Sequence, residues 1–365
     1  MKNLKIICLT KKGLVQAIQV AEKWDGPCQI FALQKAMDRN NFNRATSFNQ
    51  PLSSLLSVLW PENNNILFIG ALGILVRSFA ALLKSKFTDP AVVAMDEKGQ
   101  FVISVLSGHW GGANDLAKTL AEKLGSQPVI TTATDVWGKL GIDVLAKKWR
   151  LIPEPYESLK TINALLVSEQ QLTVYSDYNV SNLLEKAGSG VTGLLFKPSS
   201  SLCSNQTEQN SPCAVITNKD RDLFPAAWIL LRPANLIVGI GCRKGVSADE
   251  ITSGIKAALK QVQKSIFSVK CLASADIKRS EPGLQEAARL LSVSCVYYKA
   301  EDLNTFTEAN STIKTSITAW QKRGVKAVCE PAAMMTGNKS KLILPKTIFS
   351  KVTIAIAEEN WPLSG

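Results

Sequence analysis

The chain has 365 residues, of which 46% are apolar and 20% charged, a composition typical of a soluble globular protein with two or three domains. No apolar run reaches the roughly 20 residues that a membrane span needs, and the apolar core from Ile6 to Leu9 is shorter than that of a signal peptide. We therefore expect a cytoplasmic protein without a membrane partner. The net charge of +12 favours acidic partners, but the basic residues are dispersed, so nucleic acid is not expected.

The cysteines and the single histidine argue against a metal-binding protein. None of the eight cysteines forms a C-x-x-C pair, and only His109 is available to complete a ligand set. Several cysteines lie within apolar runs, as buried thiols do. We predict no metal site in the protein and a reducing compartment.

The first third of the chain alternates strand and helix patterns. The predicted strands are 4–10, 28–33, 65–70, 91–95, 101–106 and 128–132, and the predicted helices are 13–24, 72–83 and 113–124. The turn signal DEKG at 96–99 joins two strands as a hairpin. Apolar strands that alternate with helices indicate a mostly parallel sheet covered on both faces. We assign residues 1–135 to an N-terminal α/β domain, in which the hairpin adds one antiparallel pair.

The rest of the chain predicts two further units. Residues 136–234 have a weaker pattern, with helices at 142–149 and 159–166 and a strand at 172–177, and form a smaller middle α/β domain. Residues 235–365 begin with the strand LIVGIG and a helix from about 248, where Ser247 and Glu250 form a capping box. The expected fold class is therefore a multidomain α/β protein with N-terminal and C-terminal α/β units of mostly parallel sheets.

The segment 107–115, SGHWGGAND, lies between a predicted strand and a predicted helix. Such junctions lie at the carboxyl ends of strands, where open α/β sheets bind ligands. The glycines allow close approach of a ligand to the backbone, the helix start offers N–H groups to an anion, and His109 can titrate near neutral pH. The competing interpretation is that turn geometry alone requires these residues.

The segment GIGCRKG at 239–245 also joins a strand to a capped helix. Arg243 and Lys244 add positive charge near the helix start, where an anion is stabilised. The segment lacks the third glycine of G-x-G-x-x-G and the G-K-[ST] of a P-loop, so carboxylate binding is at least as plausible as nucleotide binding. A tight turn with solvated basic residues is the alternative.

Two further cations are candidates for ligand binding. Arg77 lies in the apolar helix pattern after Gly70, either as a substrate clamp or as an arginine that extends its guanidinium to solvent. Lys278 lies in ASADIKRSEPG with Asp276 and Glu281, where an ion pair or a solvated turn is the ordinary interpretation.

Several motifs taken together resemble the CbiG family of anaerobic cobalamin synthesis. The block GALGILVRSFAALL…SGHWGGANDLA followed by PVITTATD resembles its N-terminal half, and LIVGIGCRKGVSADEI with LASADIKRSEPGLQEAA resembles its C-terminal domain. The resemblance covers about 66–135 and 236–357. It implies hydrolysis of cobalt-precorrin-5A to cobalt-precorrin-5B: water opens a δ-lactone of a cobalt-containing macrocycle, and a two-carbon unit leaves as acetaldehyde.

The resemblance itself assigns no catalytic residue, but the implied reaction needs an activated water, a group that stabilises the oxyanion and an acid for the departing oxygen. His109 is the expected catalytic base or acid, and backbone N–H groups around Gly111 and Gly112 are expected to stabilise the oxyanion. The remaining expected substrate contacts are Arg77, Ser107, Gly108, Asn114, Gly241, Arg243, Lys244 and Lys278. The substrate is a carboxylate-rich cobalt macrocycle that brings its own cobalt, so no cofactor is expected, and other pathway enzymes are possible partners. A non-catalytic carrier of corrinoid intermediates is the leading alternative, and a nucleotide-using α/β enzyme is a more distant one.

Overall fold

The computed structural model describes residues 3–37, 44–62, 65–85, 88–136, 141–168, 171–187, 193–202, 213–313, 315, 320 and 324–361. The chain forms two compact units, 1–144 and 145–365. The described residues contain three β-sheets with helices, and most strand pairs in the first two are parallel, so the predicted multidomain α/β class is confirmed. Each sheet lies within one of the three segments divided at 135 and 234, but the division into three domains stays a prediction.

The first unit is built on a seven-stranded sheet with the order β3-β2-β1-β4-β5-β6-β7. Its strands are β1 Leu4–Cys8, β2 Cys28–Leu33, β3 Thr46–Phe48, β4 Asn65–Ile69, β5 Ala91–Met95, β6 Phe101–Leu106 and β7 Gln127–Val129. The central strands β1, β4 and β5 are almost fully buried, because helices cover both faces of the sheet.

The helices of this unit divide between the two faces. They are α1 Lys11–Lys23, α2 Leu52–Leu59, α3 Leu72–Phe79, α4 Ala113–Leu124, α5 Ala133–Val136 and α6 Ile142–Lys148, the last of which crosses the unit boundary. Apolar residues of α1 and α4 pack on one face of the sheet, and those of α2 and α3 pack on the other. The loop that precedes α3 and the loop that precedes α4 therefore lead to opposite faces.

The predicted hairpin reverses the direction of two strands. The Asp96 carboxylate accepts hydrogen bonds from the N–H groups of Lys98 and Phe101 at 3.0 and 2.7 Å, and Gly99 has a φ of +69°. This turn makes β6 antiparallel to β5, and β7 then pairs parallel to β6. The carboxyl end of β6 therefore lies at the sheet edge opposite to the carboxyl ends of β1, β2, β4 and β5.

The middle sheet has the order β10-β9-β11-β12-β8, in which only β8 is antiparallel to its neighbour. Its elements are β8 Leu151–Glu154, α7 Ser158–Val167, β9 Leu172–Ser176, α8 Val180–Ala187, β10 Leu194–Pro198, β11 Ala214–Ile216 and β12 Ile229–Pro233. The chain goes from β9 to β10 on one side and then returns to β11 on the other side of β9.

The third sheet has the order β15-β14-β13-β17-β16, with β13, β14 and β15 parallel. Its elements are β13 Leu236–Cys242, α9 Ala248–Gln261, β14 Val269–Ala275, α10 Pro282–Leu290, β15 Ser294–Tyr298, α11 Ala300–Ala309, α12 Cys329–Thr336, β16 Lys341–Phe349 and β17 Val352–Glu358. Helices α9 and α10 pack on one face, and α11 and α12 pack on the other. Across the described ranges, no helix combines the length and the apolar character needed to cross a membrane.

Candidate active site

The loop between β6 and α4 is closed by hydrogen bonds within itself. Ser107 has a φ of +57°, and its carbonyl accepts from the N–H groups of Gly112 and Ala113 at 3.0 and 3.2 Å. The Gly108 carbonyl accepts from Asn114 N–H at 3.0 Å. The N–H groups at the start of α4 are therefore largely used by the loop that precedes the helix.

Packing within this loop explains its three glycines. A Cβ at Gly111 would lie 2.4 Å from Ser107 Cβ, and a Cβ at Gly108 would lie 2.6 Å from Asn114 Oδ1. Gly112 has a φ of +98°, a conformation that favours glycine. The sequence led us to expect backbone N–H groups around Gly111 and Gly112 to stabilise the oxyanion. The Gly112 N–H does not fit this expectation, because it already donates to the Ser107 carbonyl.

His109 forms a contact that turn geometry does not explain. Its Nδ1 lies 3.0 Å from Oδ2 of Asp143, and the two side chains are only 12% and 8% exposed. Because an ionised carboxylate only accepts hydrogen bonds, we assign a proton to Nδ1, which leaves the lone pair of a neutral imidazole on Nε2. In this tautomer Nε2 is the basic nitrogen of the ring.

Asp143 was missed by sequence reasoning. It lies in the first turn of α6 between the fully buried residues Ile142 and Leu145. A single acidic side chain within a buried helix face is the signal that could have found it, because a buried carboxylate needs a partner.

Two polar side chains surround the histidine loop. The buried Asn114 accepts from Ser104 Oγ at 2.6 Å and donates to Thr132 Oγ1 at 3.1 Å, so it ties β6 and α4 to the segment after β7. Ser107 Oγ is buried and has no hydrogen-bond partner in the part of the chain that the structure describes. Asn114 therefore has a structural task, whereas the Ser107 hydroxyl retains its bonding capacity.

Arg77 does not join this loop. The Gly70 N–H donates to the Met95 carbonyl at the end of β5, whereas a Cβ at Gly111 would approach Ala91 N at the start of β5. Helix α3 thus begins at the opposite sheet edge and covers the opposite face. The Arg77 side chain is exposed and its Nη1 lies beside Gly73, so this unit does not bring Arg77 to the His109 loop.

The glycines of GIGCRKG serve packing. A Cβ at Gly239 would lie 1.8 Å from the Cys329 carbonyl oxygen, and a Cβ at Gly241 would lie 2.5 Å from Thr353 Oγ1. The close approach of α12 and β17 therefore requires the G-x-G spacing, without a phosphate. Arg243 and Lys244 follow the carboxyl end of β13, and both are exposed.

Lys278 is unsuited to the role expected of it. It is 5% exposed, and its ammonium lies 3.1 Å from Oε2 of Glu281, whose Oε1 accepts from Gly245 N–H at 2.5 Å. The Gly245 N–H and the Lys278 ammonium lower the pKa of the Glu281 carboxyl. The ordinary interpretation of this segment as an ion pair is correct, and the pair anchors the Arg243 loop to the start of α10.

Arg279 is the exposed cation that this segment does offer. Its guanidinium lies 4.8 Å from the centroid of the Tyr297 ring, a distance typical of a cation–π contact. Arg243, Lys244 and Arg279 therefore follow the carboxyl ends of adjacent strands β13 and β14. Among the described residues, no group of three or more His, Cys, Asp or Glu side chains could hold a metal ion.

Comparisons with known proteins identify relatives over most of the chain. The family models for the N-terminal and C-terminal parts of cobalamin synthesis protein G match residues 54–135 and 236–357. A cobalt-precorrin-5A hydrolase of Priestia megaterium is 34% identical over 85% of this chain and 82% of its own length. One from Salmonella typhimurium is 32% identical over 84% of both chains. A solved structure described as a homologue of cobalamin biosynthesis protein G, from Sulfolobus solfataricus, is 25% identical with a TM-score of 0.38 and covers 98% of this chain and 97% of its own.

Proposed function

The chain belongs to the CbiG family, and from this premise we propose that it hydrolyses cobalt-precorrin-5A. Water opens the δ-lactone of the macrocycle to a carboxylate and an alcohol. The alcohol then loses its proton and its carbon–carbon bond to the macrocycle breaks, so that the two carbons leave as acetaldehyde and the bonding electron pair stays on the macrocycle. The similarity extends over most of the chain and most of each hydrolase relative, so both units are expected to be needed for the activity.

The observation that carries the catalytic assignment is the His109–Asp143 pair. Lactone opening needs a base that removes a proton from the attacking water and an acid for the departing oxygen. Asp143 holds the proton on Nδ1 and stabilises the imidazolium that forms once Nε2 has accepted a proton. The same imidazolium then serves as the acid.

Ser107 is our candidate for the oxyanion donor. Addition of water places negative charge on the lactone carbonyl oxygen, and a donor fixed before the reaction stabilises that charge. The Ser107 hydroxyl lies two residues before His109, and it is held in a buried position without a partner among the described residues. It therefore takes over the role first expected of the Gly112 N–H.

Substrate recognition is assigned to the exposed cations after β13 and β14. The macrocycle carries several carboxylates, and a planar guanidinium can bind one through two hydrogen bonds. Our candidates for this task are Arg243, Lys244 and Arg279, whereas Lys278 pairs with Glu281 and supports the loops. In this proposal the cobalt enters with the substrate, the protein has no cofactor of its own, and the reaction takes place in the cytoplasm.

Acetaldehyde release tests the proposal directly. The protein is mixed with cobalt-precorrin-5A, and acetaldehyde is followed through a coupled alcohol dehydrogenase that consumes NADH. His109→Gln should lower turnover by roughly 10²–10⁴ while the variant folds and binds substrate as before.

Two other results would contradict the proposed activity or the catalytic role of His109. Tight binding of the macrocycle without any acetaldehyde would indicate a carrier. Normal turnover of His109→Gln would place the chemistry elsewhere. The nucleotide-using alternative has lost its basis, because packing against Cys329 and Thr353 explains the G-x-G spacing.

A further inference from the structure

The middle sheet has a switch in strand order at β9. The connection after β9 leads to β10 on one side, and the chain then returns to β11 on the other side. In open α/β sheets, ligands bind in the crevice that such a switch leaves outside the carboxyl ends of the strands. Tyr178 and Asn179 follow the carboxyl end of β9, so any ligand at this crevice would meet them first.

A cavity of about 390 Å³ lies beside Tyr178 and Asn179, after the carboxyl end of β9. Its walls include Tyr178, Asn179 and Asn182 from the middle sheet and Lys341, Glu358 and Trp361 from the third sheet. The volume falls at the lower end of the ~300–1,000 Å³ range of small-molecule sites. The cavity thus has room for a small molecule or for one substituent of a larger one.

The carboxylates that line the cavity are already neutralised. Glu358 accepts from Lys264 at 2.8 Å and from Asn218 at 2.7 Å. The neighbouring Glu359 accepts from the Lys270 ammonium at 2.6 Å and from a backbone N–H at 3.0 Å. Neither glutamate therefore has an uncompensated negative charge to offer a cationic ligand.

Lys341 is the uncompensated charge of the cavity. Its side chain is exposed, and within the described ranges its ammonium makes no hydrogen bond or ion pair; its cross-strand neighbour is Glu358, whose carboxylate is bound to Lys264. Lys264, Lys270 and Lys341 together outnumber the two glutamates by one positive charge. The Asn182 side-chain amide lines the same wall and can donate a hydrogen bond, whereas the Asn182 backbone N–H already donates to Asn179 Oδ1 at 3.2 Å. The cavity is therefore suited to an anionic group.

Two aromatic side chains, Tyr178 and Trp361, line the same cavity as Lys341. Tyr178 and Trp361 meet edge to face with ring centroids 5.1 Å apart. Asn235 donates to the Tyr178 hydroxyl oxygen at 3.2 Å, which fixes the phenol in place. Burial and the nearby Glu358 raise the pKa of Tyr178, so its hydroxyl keeps its proton and can donate. An apolar ligand body can pack against these rings while its charged end reaches Lys341.

We propose that this cavity binds an organic carboxylate, with the carboxylate at Lys341 and the attached apolar body against Trp361 and Tyr178. The inference rests on the cavity and does not depend on the hydrolase activity. The carboxylate belongs either to a free small acid or to one arm of a carboxylated macrocycle, and both present the same chemistry to the cavity.

The test measures binding of three probes to the full chain. They are 3-phenylpropionate, its neutral amide 3-phenylpropanamide, and uroporphyrin, a tetrapyrrole with acetate and propionate arms. Affinity is measured by calorimetry, and the Trp361 indole N–H signal is followed by NMR and assigned with Trp361→Phe. Lys341→Gln is compared with Lys346→Gln, which removes an exposed lysine of the same strand outside the cavity.

We expect 3-phenylpropionate to shift the Trp361 signal and to bind Lys341→Gln about tenfold more weakly, since a charge-assisted hydrogen bond is lost. Lys346→Gln should bind like the parent chain, and the amide should bind as weakly as the acid binds Lys341→Gln. Uroporphyrin that competes with the acid would identify a macrocycle arm as the source. Uroporphyrin that leaves Trp361 unshifted would identify a free acid.

Three results would overturn the proposal: equal affinity for the acid and the amide, equal effects of the two lysine substitutions, or no Trp361 shift with either carboxylate. None of these readouts requires turnover. Failure here is therefore distinguishable from failure of the hydrolase assignment, which acetaldehyde release decides.

Discussion

At the scale of single residues, the proposed catalysis depends on how Asp143 holds His109. Histidine exchanges its proton between two ring nitrogens, and only a fixed partner makes one of them reliably basic. The 3.0 Å contact with an almost buried carboxylate provides that partner. An imidazole without it would lose both its orientation and the stabilisation of its charged form.

We therefore predict that Asp143→Asn lowers turnover by about 10²–10⁴, because an amide can donate to Nδ1 and shift the proton to Nε2. The measurement is acetaldehyde release under saturating substrate, and KM should change little. Asp115→Asn is the matched control, since Asp115 is an exposed acid in the first turn of α4. Equal turnover of the parent chain and Asp143→Asn would show that Asp143 only fixes the loop.

At the scale of elements, the sequence predicts most strands and helices but not which side chains they bring together. Short, nearly continuous apolar runs give β1, β4 and β13 their strand character, and Ser247 caps α9 as the capping box indicates, since its hydroxyl accepts from Glu250 N–H at 3.2 Å. The sequence also predicts the turn at DEKG. Its consequence, that the His109 loop lies at the opposite sheet edge from Gly70, follows only from strand order, which is a long-range property.

The candidate site was predictable only in part for the same reason. His109 is conspicuous as the one histidine, but its partner Asp143 is 34 residues away and has no motif of its own. Lys278 has the sequence context of a ligand-binding lysine, yet burial beside Glu281 decides its role. Partner choice depends on tertiary packing, which local patterns do not contain.

Glu281 accepts from Gly245 N–H and pairs with Lys278, and these two contacts predict that the stability of the fold depends on pH. The pKa of Glu281 lies below its ordinary value of 4.5, so its contribution is present above that pH and is lost as the pH falls through the lower folded value. At neutral pH, Glu281→Gln should lower the free energy of unfolding by about 3 kcal/mol, because it leaves the Lys278 ammonium buried without its partner. Urea unfolding should show this difference shrinking on acidification, as the parent carboxyl becomes protonated.

Two variants control for this effect. Glu286→Gln removes an exposed acid of the same helix, paired with Arg289, and should change the free energy of unfolding far less than Glu281→Gln does, because solvent screens the pair. Glu281→Gln combined with Lys278→Met should recover part of the lost stability, since no unpaired charge remains. A difference between parent and Glu281→Gln that stayed constant from pH 7 to acid pH would contradict the assignment of the charge effect.

At the scale of the whole molecule, the net charge of +12 has two separable effects on an anionic substrate. A long-range field raises the rate of encounter, and local cations fix the bound substrate. Salt acts mainly on the first, because the Debye length falls from about 10 Å at 0.1 M to about 3 Å at 1 M ionic strength. A comparison of variants with equal net charge separates the two.

We predict that Arg243→Ala combined with Lys244→Ala raises KM about tenfold at low salt with little change in kcat, because charge-assisted bonds to substrate carboxylates are lost. Lys256→Ala combined with Lys260→Ala removes the same charge from the middle and end of α9 and should change KM less than twofold. Raising the salt concentration should increase the KM of the parent chain. The difference in KM between the parent chain and the double variant Arg243→Ala and Lys244→Ala should then become smaller. If both double variants raised KM equally, net charge alone would account for the effect, and GIGCRKG would be only a turn.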